Sequence, residues 1–415
     1  MTASQPWART TGVILILFSI LCPGPVFALY EWQGKQTHGD ARGLIRGFAS
    51  AYQYPDDSTL FPDKTSSGVA GIARLIIDGG MGEGWGFEFN AYQTYIPRDL
   101  LTAQGNTGLP LSAERSAVLE KSFSNNDHMH LGIDRLGLRW SNQNLDLTIG
   151  RQAINLATTF YFTPNDFFAP FAAQTFYRVY KPGVDALRVE IGLGELSQLS
   201  LISVLGYQKD TDSDTGWSNR PDGGRTSHLM QWSIANGTFE STFLLGHVVD
   251  KNIIGGALQG ELFEWLGIRM EGHHAESQES GVDNYQQLSL GLEHRWENSL
   301  ALRLELFHNG LGANTVSQYQ QVSTTNASQY LARRYSALSG SYEITPLLTG
   351  EALLISNLDD HSQLISLNSI YSLSDESEMA LSLSAPFGEK PENGTITSEF
   401  GTYPSSINME FRFYY

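Results

Sequence analysis

Cysteine is all but missing from this chain: Cys22 stands alone among 415 residues. That excludes a disulfide framework, a cysteine-based zinc site and a haem-attachment motif. Positive charge is scarce too. Lys and Arg number 26 against 44 Asp and Glu, leaving a net charge of -18. A nucleic-acid binder wants a basic face, so that class of partner is excluded. Long apolar runs are missing beyond the N-terminus, and mean hydropathy is -0.22. Each helical span needs ~20 apolar residues, so a polytopic helical membrane protein is excluded as well.

The first residues account for the cysteine. Arg9 precedes an apolar run from Val13 to Leu21, and Val26-Phe27-Ala28 offers small or apolar residues for cleavage. This pattern reads as a secretory signal peptide over 1-28 that carries Cys22 away. A lipoprotein site would need a small residue before the cysteine, and Leu21 is large. The expected organisation is a short periplasmic segment over 29-40 and one barrel over 41-415.

What the chain has in quantity is alternation with period two. Trp85, Phe87 and Phe89 alternate with Gly86, Glu88 and Asn90. Leu300, Leu302, Leu304 and Leu306 alternate with Ala301, Arg303 and Glu305. Ile407, Met409, Phe411 and Phe413 alternate with Asn408, Glu410 and Arg412. Each segment puts an apolar row on one strand face and a polar row on the other. Strands are expected near 41-54, 67-78, 83-95, 129-140, 144-151, 184-193, 197-208, 226-235, 238-249, 254-262, 266-275, 284-296, 299-308, 330-343, 347-357, 362-373, 376-386 and 406-415.

Alternation alone also fits a soluble sandwich. Three features favour a barrel in lipid. The polar row carries charges of both signs, as a wet lumen would. The chain ends in an aromatic run, Phe411 to Tyr415. Connections after even strands are short and those after odd strands are often long, which is the pattern of a bacterial outer-membrane barrel. Trp85, Trp140, Trp232, Trp265 and Trp296 all sit beside the short turns, where a periplasmic aromatic girdle belongs. The expected fold is all-β: a transmembrane antiparallel up-and-down barrel of about 18 strands, with 16 as the alternative. The expected location is the outer membrane. The chain is too short for ~22 strands and a plug.

The inward row offers Arg135, Arg139, Arg151, Arg188, Arg269, Arg295, Arg303 and Arg333. Asp78, Glu88, Asp146, Glu190, Glu271, Glu293 and Glu305 share it. Two readings stand side by side. A basic patch would select anionic or polyhydroxylated solutes. A mixed ion-pair network would merely fill the wall. The connection 152-183 is unusually aromatic, from Phe160-Tyr161-Phe162 through Phe167-Phe168 to Tyr180. It is expected to bury itself in the barrel mouth, narrowing the pore and placing Asp166 and Arg178 at the constriction beside Arg135, Arg139, Arg151 and Arg188.

Gly150-Arg151-Gln152 at a strand end, the aromatic stretch, Pro164-Asn165-Asp166-Phe167 and Pro182-Gly183-Val184-Asp185 resemble porin-type outer-membrane proteins. Large barrels of the alginate-export type are among them. The resemblance covers about 35 residues. It implies a passive channel with Arg151 facing the pore, and it implies no particular solute, because Asn155-Leu156-Ala157 stands where those barrels often carry Trp or Gly.

Other signals point nowhere sharper. Asp210, Asp212 and Asp214 alternate like a calcium loop, but the glycine comes late and no closing Glu follows. His273 and His274 point to opposite strand faces. No local motif joins a nucleophile to a base, so no enzyme is expected, and no cofactor or metal. The expected function is passive diffusion of small hydrophilic solutes, with anionic ones among the candidates; an outer-membrane surface adhesin or structural barrel is the alternative. Expected partners are outer-membrane lipid and lipopolysaccharide, the barrel-assembly machinery acting on the C-terminal strand, and the solutes themselves.

Overall fold

The structure, a computed structural model, describes residues 30–96, 113–123, 129–175, 179–213, 215–278, 282–325 and 329–415. The expected signal peptide therefore lies outside the described residues, as do Arg178 and Asp214. Among the described residues, eighteen antiparallel strands close into one barrel. In chain order they are β1 (Thr37–Gln53), β2 (Thr65–Met81), β3 (Trp85–Tyr95), β4 (Met129–Ser141), β5 (Leu145–Gln152) and β6 (Val184–Gly192). Then come β7 (Ser197–Val204), β8 (Ser227–Ala235), β9 (Phe239–Val248), β10 (Lys251–Leu262), β11 (Leu266–Ser277) and β12 (Tyr285–Arg295). The last six are β13 (Ala301–Asn309), β14 (Arg334–Thr345), β15 (Leu348–Asn357), β16 (Gln363–Ser374), β17 (Ser377–Phe387) and β18 (Ser405–Tyr414). Each pairs with the next, and β18 pairs back onto β1 from Leu44↔Tyr414 to Gln53↔Ser405.

Closure follows from the solvent. In lipid no water is present to pair a free backbone N–H or C=O, so a spanning sheet can have no edge. The lower part of the seam is finished by Tyr30–Gln33, which folds back onto His38–Ala41 beneath the end of β18. Thr37 to Asp40 in turn pair with Asp78 to Met81, so β1 reaches to Thr37.

The outer face is apolar and open. Leu136, Leu138, Ile149, Phe243, Leu245, Ile254 and Ile407 all project from the sheet, Ile254 with 61% of its surface exposed. So continuous an apolar band exceeds the few hundred Å² that a soluble monomer tolerates. It is a lipid-facing surface. Trp85 sits opposite Trp140 in the β3–β4 register. Trp232, Trp265 and Trp296 are likewise exposed beside short turns. Trp265 and Trp296 flank His294 with ring centroids at 5.2 and 4.1 Å. This end is the tryptophan girdle, and the long connections lie at the other end.

One strand departs from simple alternation. Period two would set Arg151 on the same face as Ile149, which is 55% exposed to lipid. Gly150 intervenes with φ 119°. Only glycine takes that conformation without strain. The chain turns there, and Arg151 is 1% exposed. An added Cβ on Gly150 would lie 2.2 Å from the Leu136 carbonyl oxygen. Gly150→Ala should therefore lower the heat-unfolding midpoint of the purified barrel and reduce the yield of the heat-modifiable form. An unchanged midpoint would show that the kink is dispensable.

Candidate functional site

The connection from β5 to β6 does not stay outside. It crosses the lumen and ends against the far wall, β10 to β15. A segment inside the barrel must find partners for its backbone N–H groups. Two wall carboxylates supply them. Glu271 of β11 accepts from the N–H groups of Thr158, Thr159 (2.9 Å) and Asn165 (3.0 Å). Glu305 of β13 accepts from Phe160 (2.8 Å), Tyr161 (3.2 Å) and Phe162 (2.6 Å), and from the Ser289 hydroxyl at 3.0 Å. The Asn165 amide adds a bond to the Gly256 carbonyl at 3.0 Å.

The aromatic side chains account for the direction of folding. Phe162 stacks on Phe307 with centroids 4.9 Å apart and planes within 9°. Tyr330 and Tyr335 close around that pair. Tyr161 donates its hydroxyl proton to Ser339 on β14. Apolar burial at ~25 cal/mol per Å² makes this placement far better than exposure in a surface loop. Phe160 lies between two guanidinium groups, Arg269 at 4.5 Å and Arg303 at 5.2 Å from its centroid. Beside it a hollow of about 210 Å³ is lined by Phe160, Tyr161, Arg303, Glu351 and Asn368.

The arginines singled out from sequence take different places. Arg135 faces the lumen and pairs with Glu88 at 2.8 Å. Arg139, near the tryptophan end, pairs with Asp146 at 3.0 Å across the β4–β5 turn. Arg188 of β6 sits 3.2 Å from Glu190. Arg151 is part of the wall. β5 stops low, and the gap above it is filled by Glu120–Phe123, which pairs with Met129 to Gly132 of β4. Arg151 stands at this junction. It binds Glu120 (3.0 Å), Asp185 (2.9 Å), the Ile133 carbonyl (2.9 Å) and the Ser116 carbonyl (2.8 Å). Arg115 joins the same cluster through Glu120 at 2.9 Å and Asp134 at 2.7 Å, and Arg74 reaches Asp134 at 2.7 Å. Three arginines thus meet three carboxylates out of water.

Asp166 meets a lysine of its own connection, Lys181, and both are buried. Burial pushes the Asp166 carboxyl up and the Lys181 ammonium down, against their mutual attraction. The pair ties the two limbs of the crossing segment together.

Sequence reasoning passed over Arg74, Arg115, Lys181 and the anchoring role of Glu271 and Glu305. A signal for the anchors was present in the register. Glu293 lies opposite Arg303, but Glu305 lies between Gly291 and Ala337, and Glu271 between Ala257 and Ser289. A carboxylate flanked by small residues and lacking a basic cross-strand neighbour leaves both charge and room for another segment.

Above the crossing segment, Glu399 gathers three outer connections. It accepts from the Leu331 N–H at 3.0 Å, the Asn357 amide at 2.8 Å and the Tyr335 hydroxyl, while its own N–H donates to Asp360 at 2.8 Å. Burial, with Asp360 nearby, pushes its carboxyl up to about 7 from the usual 4.5. A raised folded value favours the protonated folded form. The contribution to stability is full below pH 4.5 and is lost as pH rises through about 7. Amide protection factors over 388–404 should fall across that window, and Glu399→Gln should flatten the dependence. Protection that rises with pH would contradict this arrangement.

No family profile matches this sequence, and no curated protein does. Solved structures do. The chain is similar to OccAB3 of Acinetobacter baumannii, with a TM-score of 0.58 and 13% identity over 91% of this chain and 99% of that one. Pseudomonas aeruginosa OccD3 (OpdP) aligns with a TM-score of 0.57 and 12% identity, over 95% and 94% of the two chains. Pseudomonas aeruginosa OccK9 (OpdG) gives 0.60 and 10%, over 91% and 98%. The shared feature is the fold. The chain has the fold of a porin-type, closed 18-strand barrel.

Proposed function

We propose that this protein is an outer-membrane channel for passive diffusion of small hydrophilic solutes, with a preference for anions. The observation that carries the reading is the crossing segment, held by Glu271 and Glu305 in a lumen otherwise wide enough for water. A barrel serving only as a surface scaffold gains nothing from an anchored constriction at its waist. The alginate-export likeness rests on residues 150–185 alone and assigns no solute.

The anion preference rests on which charges remain available. The Arg74, Arg115 and Arg151 cluster is balanced by buried carboxylates. Arg269 differs. It donates to the Thr158 carbonyl at 3.1 Å and lies over the face of Phe160, with no ion pair among the described residues. A guanidinium held at a constriction outside any ion pair attracts anions and repels cations.

Planar-bilayer recording under a salt gradient tests this. The wild type should conduct, with a reversal potential on the anion-selective side, and liposomes carrying it should swell in small polar solutes. Arg269→Ala should lower the anion-to-cation permeability ratio several-fold with little change in heat stability. An unaltered ratio would remove Arg269 from the selectivity role. A folded barrel that passes no current would favour the surface-binding reading.

A further inference from the structure

The hollow beside Phe160 is the space left over once the crossing segment has been anchored. It lies on the inner side of β13, β15 and β16. Leu367, one residue before Asn368, is 49% exposed to lipid, so Asn368 points inward. Arg303, Glu351 and Leu353 complete this wall, and Phe160, Tyr161 and Gln174 of the crossing segment close the other side. Arg303 stands two residues nearer the tryptophan end than the anchor Glu305, so the hollow lies on that side of the segment. Its 210 Å³ is the share of about seven waters in the liquid. That is room for one six-membered ring bearing hydroxyls.

Four planar polar groups surround it: Arg303, Glu351, Asn368 and Gln174. Arg303 is balanced by Glu293. The Glu351 carboxylate has no ion pair among the described residues; the Tyr161 hydroxyl, which bonds Ser339, reaches it only at 3.4 Å. The Asn368 Oδ1 accepts from no donor, so the wall does not tie that end of the amide. The atom is covered, and the broad terminal torsion of an asparagine lets the amide turn to meet a solute. Guanidinium, carboxylate and amide groups each hold two polar atoms in one plane, some donating and some accepting. Neighbouring hydroxyls on a ring, each both donor and acceptor, match such pairs.

Charge separates the small solutes. An anion in the hollow meets Glu351, and a cation meets Arg303 and, across Phe160, Arg269. A neutral polyol meets neither penalty and hydrogen-bonds to both charged groups. The wall leading away from the hollow suits the same solute. From β16 through β17 and β18 to β1, one inward row reads Asn368, Ser382, Asn408 and Ser50. The next reads Ser366, Ser384, Ser406 and Tyr52. Neither row carries a charged side chain across those four strands, whereas Arg135, Arg139 and Arg188 stand on β4 to β6.

Resting on the channel reading above, we propose that the hollow is a binding subsite for a neutral polyhydroxylated ring of hexose size. Glu351 and Arg303 take neighbouring hydroxyls, Asn368 and Gln174 take those beside them, and the uncharged rows from β16 to β1 form the wall along which the solute passes.

Planar-bilayer recording with glucose, glucuronate or glucosamine added to the same salt tests the assignment, since the three share a ring and differ in charge. Glucose should interrupt the ion current reversibly, with a block that saturates. Its half-blocking concentration should lie several-fold below those of glucuronate and glucosamine. Glu351→Ala with Asn368→Ala should raise the glucose value several-fold, while Gln198→Ala on β7, away from the hollow, should leave it unchanged. Heat-modifiable migration confirms that each variant is folded. A folded barrel that carries no current defeats the channel reading and this inference with it. A conducting barrel that glucose does not block, equal block by the three solutes, stronger block by either charged one, or a folded double variant with the wild-type value would each overturn this inference alone.

Discussion

Replacing Glu271 and Glu305 together by glutamine should raise single-channel conductance several-fold and increase its open-state noise. Each carboxylate accepts three backbone N–H groups from the segment that crosses the lumen. Hydrogen bonds to a charged group contribute about 1.5–3 kcal/mol each, and a buried donor left unpaired costs about 1–3 kcal/mol. Glutamine keeps the volume but turns one acceptor into an NH₂ group that faces N–H donors. The segment then loses its hold at both points while its ends stay fixed in β5 and β6. The aromatic cluster around Phe162 and Phe307 keeps it from leaving in either single variant, so the pair should exceed the sum of the two. Recording at fixed salt on the wild type, both singles and the double variant decides it. A double variant with wild-type conductance would place the narrowest section elsewhere.

The largest stability effect is expected at Arg151. Arg151→Ala leaves Asp185 without its ion-pair partner, leaves Glu120 to Arg115, and frees the Ser116 and Ile133 carbonyls. Removing one member of a buried ionic cluster costs about 3–5 kcal/mol. Arg151→Lys should recover only part of this, because a single ammonium cannot reproduce a planar fork with several acceptors. Arg139→Ala is the control: its pair with Asp146 is exposed, and such pairs contribute about 0–1 kcal/mol. Heat-modifiability midpoints in matched detergent should fall strongly for Arg151→Ala and barely for Arg139→Ala. Equal shifts would mean that the Arg151 cluster adds no more than a surface pair.

The barrel was legible because lipid imposes a simple rule at every position. Leu302, Leu304 and Leu306 on one face and Arg303 and Glu305 on the other leave no ambiguity about register. The turn-side tryptophans and the long odd connections then fix which end is which. The interior was less legible, because the lumen obeys no period. Arg115 comes from a connection with no pattern at all and reaches Asp134 through the fold. Lys181 precedes a Pro-Gly turn, where nothing marks it as the partner of Asp166. At Arg151 one glycine conformation overrides alternation, and φ is not written in the sequence.

The seam between β1 and β18 has a consequence for assembly. Leu44 pairs with Tyr414 across 370 residues of chain, whereas the hairpins at the tryptophan end close over a few. Bringing such distant ends together costs about 5 kcal/mol of loop-closure entropy, and none of it is recovered until the last strand is in register. Contact order therefore separates the process into two regimes: hairpins that zip locally and a final suture that is all or nothing. A chain stopped before Ser405 would present two bare ribbons of N–H and C=O groups to lipid, the least tolerable surface a membrane can meet. The suture is therefore a condition set by the strands themselves: the sheet loses its edges only when Ser405–Tyr414 lies in register on β1.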